Sequence, residues 1–270
     1  MSGESQLTHY AARVAVVTGA GSGIGRALAL GLARCGAQVA LADRSAEALA
    51  GTARQCERAG GQVRADTVDV TSRAAVLDYA TAVRNDFREV SLVFCGAGVI
   101  HTGSLLASEF ADIDPVISIN LLGTVNTAKA FLPALIASGD GQLVTFSSGF
   151  GLVAAPHYSA YSASKFAVRG FSESLRQEMA ADGHPVSVTC VYPGRIRTPI
   201  LRSGSFAADE DANAVAARFE KMARMGPAKA AAIILRGVAH RKAQLLVGAD
   251  AHAVSLLARA AGGSYTDWLP

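Results

Sequence analysis

The chain has 270 residues, of which 50% are hydrophobic and 17% are charged. A sequence with this share of apolar residues can bury a large core, which excludes an intrinsically disordered protein. The length allows one large α/β domain or two ordinary ones. The net charge of +3 is spread without a run of like charges, which argues against a dedicated nucleic-acid or membrane-surface protein.

Four cysteines lie far apart and form no CxxC pair, so the sequence predicts neither a disulfide framework nor a zinc site. The six histidines have no metal-ligand spacing, and we predict no metal. The chain shows no basic-then-apolar leader, and no apolar run reaches the roughly 18 residues of a membrane-spanning helix. We therefore expect a soluble, cytoplasmic protein without membrane or nucleic-acid partners.

Short apolar runs alternate with amphipathic patterns along the chain. In chain order, the first half predicts strands at 13–18, 38–43, 62–70 and 91–96, separated by helices at 23–34, 45–59 and 71–86. Ser45 is the expected N-cap of the second helix, and Thr71 or Ser72 that of the third. The second half predicts helices at 113–137, 157–181 and 227–240 and strands at 142–147, 185–192 and 244–248, with Pro133 kinking the first of these helices.

This alternation predicts a Rossmann-like, doubly wound α/β fold, with helices on both faces of a seven-stranded, mainly parallel sheet. A (β/α)₈ barrel would need an eighth strand, which we do not find. No linker or repeat appears, so we predict a single domain over residues 1–270. Two segments fall outside the alternation: 200–226, interpreted as a substrate lid, and the C-terminal tail 249–270.

A glycine-rich turn, Thr18-Gly19-Ala20-Gly21-Ser22-Gly23-Ile24-Gly25, joins the first strand to the first helix. Glycines at this place let the backbone approach a pyrophosphate, whose charge the helix N-terminus favours. Asp43 ends the second strand and is placed to bond the adenosine ribose hydroxyls. A purely structural turn is the alternative, but the context favours a dinucleotide site.

The spacing TGxxxGxG resembles that of the short-chain dehydrogenase/reductase family, and the resemblance extends over residues 13–248. Tyr161 and Lys165 match the family pattern YxxxK, which places a phenol and an ammonium group on one face of a helix. A neighbouring ammonium and an oxidised nicotinamide favour the phenolate and lower the pKa of the tyrosine. The resemblance further implies that Ser148 holds the substrate oxygen and that Asn120 completes a proton relay, which makes Asn120, Ser148, Tyr161 and Lys165 the predicted catalytic tetrad.

The turn and the resemblance together imply a set of residues that contact the dinucleotide. They are Gly19, Gly21, Ser22, Gly23, Ile24, Gly25, Asp43, Arg44, Asp69, Val70, Ala97, Gly98, Tyr161, Lys165, Pro193, Gly194, Ile196 and Thr198. The chain departs from the family at Cys95-Gly96-Ala97-Gly98, where relatives usually read NNAG. An amide that would brace the sheet is missing there, so we expect cofactor binding to survive and local stability to differ.

The sequence therefore predicts an NAD(P)-dependent oxidoreductase that interconverts a secondary alcohol and a ketone. NAD is favoured over NADP, because Asp43 repels a 2′-phosphate and Ser22 stands where phosphate-accepting relatives often have Arg or Lys, although Arg44 could receive that phosphate. Apolar residues after the strands favour a medium-sized, largely apolar substrate. The resemblance implies a homodimer or homotetramer formed through the helices at 113–137 and 157–181.

Two other functions use the same fold. A dinucleotide-binding sensor or scaffold without turnover would not need the four tetrad residues together. A sugar-nucleotide epimerase or dehydratase would use the same Tyr/Lys pair, but with a different glycine spacing and a larger substrate domain.

Overall fold

The computed structural model describes residues 9–87 and 89–267. The strands are β1 (Val14–Thr18), β2 (Gln38–Asp43), β3 (Val63–Thr67), β4 (Val90–Cys95), β5 (His101–Thr102), β6 (Gly141–Phe146), β7 (Val186–Pro193), β8 (Ser205–Phe206) and β9 (Gln244–Val247). The helices are α1 (Gly23–Arg34), α2 (Ala46–Arg58), α3 (Arg73–Asp86), α4 (Phe110–Ile117), α5 (Gly123–Ala137), α6 (Ser159–Ala181), α7 (Ala212–Met222), α8 (Pro227–Ala239) and α9 (Ala249–Ala261).

Seven strands form one sheet in the order β3-β2-β1-β4-β6-β7-β9, and every neighbouring pair is parallel. The predicted doubly wound α/β fold is thereby confirmed. The strand order reverses between β1 and β4, so the connections that leave these two strands diverge to opposite sides. In such sheets the resulting crevice at the carboxyl ends of the strands is where ligands bind.

The side chains of each central strand alternate between two buried layers. In β1, Ala15 and Val17 belong to the core under helices α1, α2 and α8, whereas Val14 and Val16 belong to the core under α3, α5 and α6. Because both faces are covered, the sequence of β1 is a continuous run of small and apolar residues.

Most predicted boundaries agree with the structure within two residues, including the N-caps Ser45 and Ser72. The third strand is shorter than predicted, because it ends at Thr67 and Asp69 then accepts the Thr71 N–H in a turn. The predicted helix 113–137 begins earlier, at Phe110, and is interrupted by a π-helical turn, Ser118–Leu122, between α4 and α5. Pro133 lies inside α5.

The two segments outside the alternation are also folded. The lid segment begins with β8, which pairs in parallel with β5 to form a second, two-stranded sheet, and it continues into α7. The C-terminal tail contains α9, followed by a 3-10 turn, Gly262–Asp267. The sequence analysis predicted none of these elements.

One stretch, Phe110–Ala137, is long and apolar enough to cross a membrane, by length and composition only. In this structure the same stretch covers the sheet, and Phe131 and Leu135 are fully buried in the core beneath it. A core helix of this kind passes the same test of length and composition.

All four cysteines are unpaired thiols, and three of them, Cys56, Cys95 and Cys190, are buried. Within the described ranges, no group of three His, Cys, Asp or Glu side chains is arranged to hold a metal ion.

Candidate active site

A cavity of about 1510 Å³ opens at the carboxyl edge of the sheet, at the β1/β4 crevice. It extends from the glycine turn, past Tyr161, to the lid helix α7 and the tail helix α9. Every residue of the predicted catalytic and cofactor-binding sets lines this cavity except Asn120. The fold therefore brings together residues that are up to 179 positions apart, from Gly19 to Thr198.

The glycine turn passes so close to its surroundings that side chains are excluded. A Cβ atom on Gly25 would collide with the carbonyl of Gly19, and one on Gly21 would lie 2.8 Å from the carboxylate of Asp43. Gly19 and Gly23 have φ values of +68° and +53°, a region that residues with a Cβ rarely adopt. The turn thus presents bare backbone at the N-terminus of α1, as a pyrophosphate site requires.

Asp43 braces this turn as well as lining the cavity. Its Oδ2 accepts the Gly21 N–H at 2.8 Å, and its Oδ1 accepts the Ser45 N–H at 2.9 Å. Arg26, in the first helix, supports the turn from the other side, because its guanidinium donates to the Gly21 carbonyl and, at 3.0 Å, to the Thr52 hydroxyl. The sequence analysis missed Arg26, since a lone arginine in an amphipathic helix gives no signal of this role.

Asp69 and Val70, two of the predicted dinucleotide contacts, lie in the connection after β3. The Asp69 carboxylate accepts the N–H and the hydroxyl of Thr71, at 2.9 and 2.8 Å. The Val70 carbonyl accepts a hydrogen bond from the Asn126 side chain at 3.0 Å. Asp69 is therefore fixed by local bonds and Val70 by a bond from helix α5, both at the rim of the cavity.

The Cys95–Gly98 segment, where the chain departs from the family pattern, lies close to the end of β1. A Cβ on Gly96 would lie 2.7 Å from the Thr18 carbonyl, so the chain after β4 approaches β1 more closely than a side chain at Gly96 would allow. The Ala97 N–H and the Thr18 hydroxyl are 3.4 Å apart and join the two segments. The two central strands are thus in close backbone contact at this point.

Tyr161 and Lys165 lie one helical turn apart at the start of α6, and both are buried. Lys165 Nζ donates to the Phe146 carbonyl at 3.0 Å and lies 5.5 Å from the centre of the Tyr161 ring. Burial raises the pKa of Tyr161 to about 12, which the neighbouring Ser148 hydroxyl opposes in part. Burial also lowers the pKa of Lys165 to about 8.

The expected lowering of the Tyr161 pKa involves Lys165 together with an oxidised nicotinamide. Among the protein's own residues, removal of the phenolate from water dominates, and the Ser148 hydroxyl opposes it in part. A lower pKa therefore needs a further positive charge at this position.

Ser147 and Ser148 point to different sides of the chain that leaves β6. The Ser148 hydroxyl lies in the cavity and accepts the Phe150 N–H at 3.2 Å. Ser147 is buried, and its hydroxyl donates to the Lys165 carbonyl at 2.8 Å. Ser148 therefore presents its hydroxyl to a substrate in the cavity. Ser147 connects the end of β6 to helix α6 through its hydrogen bond.

Asn120 lies beneath the cavity wall, in the π-helical turn, with only 1% of its surface exposed. Its amide oxygen accepts the Val99 N–H at 2.8 Å, and its amide nitrogen donates to the Val99 carbonyl and to the Ser164 hydroxyl, both at 3.0 Å. The side chain therefore connects the segment after β4 to helix α6, next to Lys165. Its part in a proton relay stays a prediction.

The end of β7 and the loop after it contain four more of the predicted dinucleotide contacts, Pro193, Gly194, Ile196 and Thr198. The Gly194 N–H donates to the Val247 carbonyl at 2.9 Å, and Ile196 forms a β-bridge with Met225. Thr198 faces the glycine turn, because a Cβ on Gly23 would be 3.2 Å from the Thr198 methyl group. The loop is therefore held on both sides, which fixes the position of its backbone at the cavity.

The lid segment is tied to the end of the sheet. The Ser205 N–H donates to the Ile100 carbonyl at 3.1 Å, and the Ala207 N–H donates to the Thr102 carbonyl at 2.9 Å. The buried His101 ring bonds the Ser205 hydroxyl at 2.8 Å and the Ser108 hydroxyl at 2.9 Å. His101 therefore has a structural role in holding the lid. The lid and the loops beside it give the cavity an apolar wall that includes Ile100, Phe150, Val153, Val215, Phe219 and Met222.

The C-terminal tail forms the opposite wall, which the sequence analysis missed. Ala251, Val254 and Leu257 of α9 line the cavity. Asp250 at the start of this helix accepts the Arg195 N–H at 2.6 Å, and the Tyr265 hydroxyl accepts the Ala154 N–H at 3.0 Å. Small and apolar residues three positions apart are a helical signal that could have revealed this face.

These features suit a dinucleotide better than a smaller ligand. The cavity combines a side-chain-free turn at a helix N-terminus, a carboxylate at the end of β2 and a fixed backbone loop after β7, in one continuous space. Gly98 adds to the fit, because a Cβ there would lie 3.2 Å from the Asn120 amide oxygen and 3.6 Å from Lys165 Nζ. The turn would hold the pyrophosphate, Asp43 the adenosine ribose, and the loop 193–198 the nicotinamide.

Comparisons with known proteins agree with this geometry. The family described as short chain dehydrogenase matches residues 13–207. A Mycobacterium tuberculosis protein named as an oxidoreductase, SadH, is 48% identical over 260 residues, which cover 96% of this chain and 94% of that protein. Human estradiol 17-beta-dehydrogenase 11 is 34% identical over 193 residues, or 71% of this chain and 64% of the human protein.

The crystal structure of a short chain dehydrogenase/reductase from Burkholderia phymatum, in complex with NAD, superimposes with a TM-score of 0.87. It is 28% identical, and the match covers 94% of this chain and 95% of that one. The family match ends at residue 207, so helices α7, α8 and α9 lie beyond it. The sequence match, the relatives and the shared sheet topology establish that this chain belongs to the short-chain dehydrogenase/reductase family of oxidoreductases, which act on CH–OH groups and use a nicotinamide dinucleotide.

Proposed function

We propose that this protein is an NAD-dependent oxidoreductase that interconverts a medium-sized, largely apolar secondary alcohol and the corresponding ketone. The observation that carries this proposal is the single cavity that joins the glycine turn to the buried Tyr161, Ser148 and Lys165 and then continues into an apolar chamber. A sensor or scaffold would have no use for a phenol, a hydroxyl and an ammonium group at this point.

The chain's own residues account for the proton and for the position of the substrate. An oxidised nicotinamide bound at the loop 193–198 would supply the hydride acceptor and a positive charge that favours the phenolate. Ser148 donates a hydrogen bond to the substrate oxygen, and Tyr161 takes the proton of the alcohol or returns it in reduction. Lys165, held by the Phe146 carbonyl, supplies further positive charge and a route for the proton away from Tyr161.

The preference for NAD rests on Asp43. Its carboxylate lies in the cavity, anchored to the backbone at Gly21 and Ser45, and would bond the ribose hydroxyls while repelling a phosphate there. Arg44 also lines this end of the cavity, and its positive charge opposes this preference because it could receive the 2′-phosphate of NADP.

The apolar character of the substrate rests on the chamber. Tyr161, Ile100, Val116 and Leu201 form a buried apolar cluster, against which Phe150 and Phe219 pack. Arg195 lines the cavity on the tail side and is paired with Asp250 at 3.9 Å, and Arg218 lines it on the lid side and is exposed to water. A small charged hydroxy acid would find little to neutralise it.

We also propose that the protein is a cytoplasmic homodimer or homotetramer. Leu122, at the end of the π-helical turn, and Phe166, on α6, are 41% and 37% exposed. These apolar side chains lie on the helical stretches through which the family resemblance implies association, and a partner would cover them.

The test is an absorbance assay at the reduced-nicotinamide band, with NAD and NADP and a panel of secondary alcohols and ketones. We expect alicyclic or long-chain substrates to have the highest kcat/KM, with NAD preferred. Faster turnover of small polar hydroxy acids would refute the apolar chamber, and a higher kcat/KM with NADP would refute the cofactor assignment. No turnover with any member of the panel would refute the proposed function.

A further inference from the structure

Arg26 lies behind the glycine turn, near the start of helix α1, and the proposed chemistry gives it no part. It is not among the residues that line the cavity, so any effect on a bound dinucleotide must pass through the turn. The N-terminus of a helix favours negative charge, yet the first turn of α1 contains no acidic residue and this cation follows it. The contacts of Arg26, rather than the stability of the helix, therefore explain its presence there.

The guanidinium of Arg26 holds the peptide group between Gly21 and Ser22. Side chains of an α-helix point back toward its N-terminus, which brings Nη2 of Arg26 to the Gly21 carbonyl as a hydrogen-bond donor. In a trans peptide the C=O and N–H groups point in opposite directions. Since the carbonyl is directed at Arg26 behind the turn, the N–H of Ser22 is directed to the other side. Ser22 is exposed and lines the cavity there.

The preceding peptide group, between Ala20 and Gly21, is held at both of its polar atoms. The Gly21 N–H donates to Asp43 Oδ2 at 2.8 Å, and the Ala20 carbonyl accepts the Thr52 hydroxyl at 2.9 Å. Nε of Arg26 donates to the same hydroxyl at 3.0 Å. Thr52 lies in α2 and is fully buried, so water does not compete for these bonds. Arg26 thus acts on both peptide groups of the turn, on one directly and on the other through Thr52.

We propose that Arg26 is a positioning residue for the pyrophosphate of the dinucleotide, which holds the turn so that the Ser22 N–H is presented to the phosphate groups. This inference rests on the dinucleotide site of the proposed function and adds a residue to it. A turn that is already fixed loses little conformational freedom when an anion binds, so it binds the anion more tightly than a mobile turn. Because Asp43 would hold the adenosine ribose, the contribution of Arg26 should be confined to the phosphates.

The dissociation constants of ADP and adenosine test this role without any turnover. Both ligands contain the adenosine that Asp43 would hold, and only ADP carries a pyrophosphate. Competition with NADH or NADPH, followed by nicotinamide fluorescence, measures both constants. The proteins are the wild type, Arg26→Met, Arg26→Lys, Thr52→Val and the control Arg34→Met. Arg34 is exposed in the last turn of the same helix, so its variant removes an equal charge away from the glycine turn.

We expect the wild type to bind ADP more tightly than adenosine. Arg26→Met should weaken ADP binding by about 10-fold or more, the effect of one hydrogen bond from a charged group, and should change adenosine binding by less than about 2-fold. Arg26→Lys keeps the charge but not the planar fork, so its loss should be smaller. Thr52→Val removes a neutral hydroxyl and should weaken ADP binding by about 3- to 10-fold. Arg34→Met should keep the wild-type ratio of the two constants, and thermal melting checks that each variant is folded.

Three results would overturn the positioning role while leaving the proposed function standing. They are equal affinity of the wild type for ADP and adenosine, an equal loss of both affinities in Arg26→Met, and the same ratio in Arg26→Met as in Arg34→Met. If Arg26→Met does not fold, Arg26→Lys and Thr52→Val decide, and a wild-type ratio in both would overturn the role. A wild type that binds neither NADH nor NADPH would overturn the proposed function and this inference together.

Discussion

Replacing Asp43 by alanine removes a group that the structure places in two roles. In the folded protein its carboxylate accepts the N–H groups of Gly21 and Ser45, at 2.8 and 2.9 Å. Gly21 is buried, so its N–H loses its partner and cannot turn freely to water, whereas Ser45 is exposed and can. The same carboxylate is the proposed partner of the adenosine ribose. Asp43→Ala therefore tests both roles at once.

The magnitude follows from these contacts. A hydrogen bond to a charged group contributes about 1.5–3 kcal/mol, and the exposed Ser45 bond contributes little because water replaces it, so we expect Asp43→Ala to lower the free energy of unfolding by about 2 kcal/mol. Loss of the ribose bonds should weaken NAD binding by about 10- to 100-fold, the factor that corresponds to 1.4–2.8 kcal/mol. NADP binding should weaken less, because repulsion of its phosphate is also removed.

Urea unfolding of the protein without cofactor and kcat/KM with both cofactors separate the two effects. Asp43→Asn keeps one acceptor oxygen and should recover part of the stability, but not the discrimination against NADP. Asp66→Asn is the matched control, because it removes the same charge from the neighbouring strand β3, where Asp66 pairs with Arg64 at 2.7 Å. The reasoning is refuted if Asp43→Ala unfolds like the wild type and keeps the wild-type ratio of NAD to NADP efficiency.

Three further predictions follow from the site. Tyr161→Phe should lower kcat by about 10²-fold or more while leaving the dinucleotide dissociation constant within a few-fold, and retention of about a tenth of the wild-type kcat would contradict the acid/base role. Tyr265→Phe removes the hydrogen bond from the Ala154 N–H to the Tyr265 hydroxyl. It should raise KM for the substrate by about 2- to 10-fold with little change in cofactor affinity. An unchanged KM would show that the tail does not shape the chamber. Folding lowers the pKa of Lys165 from 10.5 to about 8, so between these pH values the unfolded chain binds more protons than the folded one. As the pH rises through this window, the free energy of unfolding of the wild type should therefore increase by up to about 3 kcal/mol relative to that of Lys165→Met. Urea unfolding of both proteins across that window measures the difference, and a constant difference would mean that the lysine titrates alike in both states.

The sequence by itself determined the parts of the protein that depend on local pattern. Short strand-like runs alternating with helical patterns predicted all seven strands of the main sheet, and the central strands are largely apolar because both of their faces are covered. The TGxxxGxG turn and the spacing of Tyr161 and Lys165 are equally local, since strand–turn–helix geometry and the helical repeat fix them. Both segments line the cavity as expected.

Tertiary structure decided the features that join distant segments. The π-helical turn draws Asn120 below the cavity wall because its amide bonds reach Val99 and Ser164, which are 21 and 44 positions away. The tail became a wall of the site through bonds over 55 and 111 positions, from Asp250 to the Arg195 N–H and from Tyr265 to the Ala154 N–H. Such contacts depend on which loops lie next to each other where the strand order reverses. The pattern of residues within a single segment cannot predict which loops these are. The pKa of Tyr161 also depends on tertiary structure. Packing of the assembled fold removes the phenol from water, and this burial decides the direction of its pKa shift.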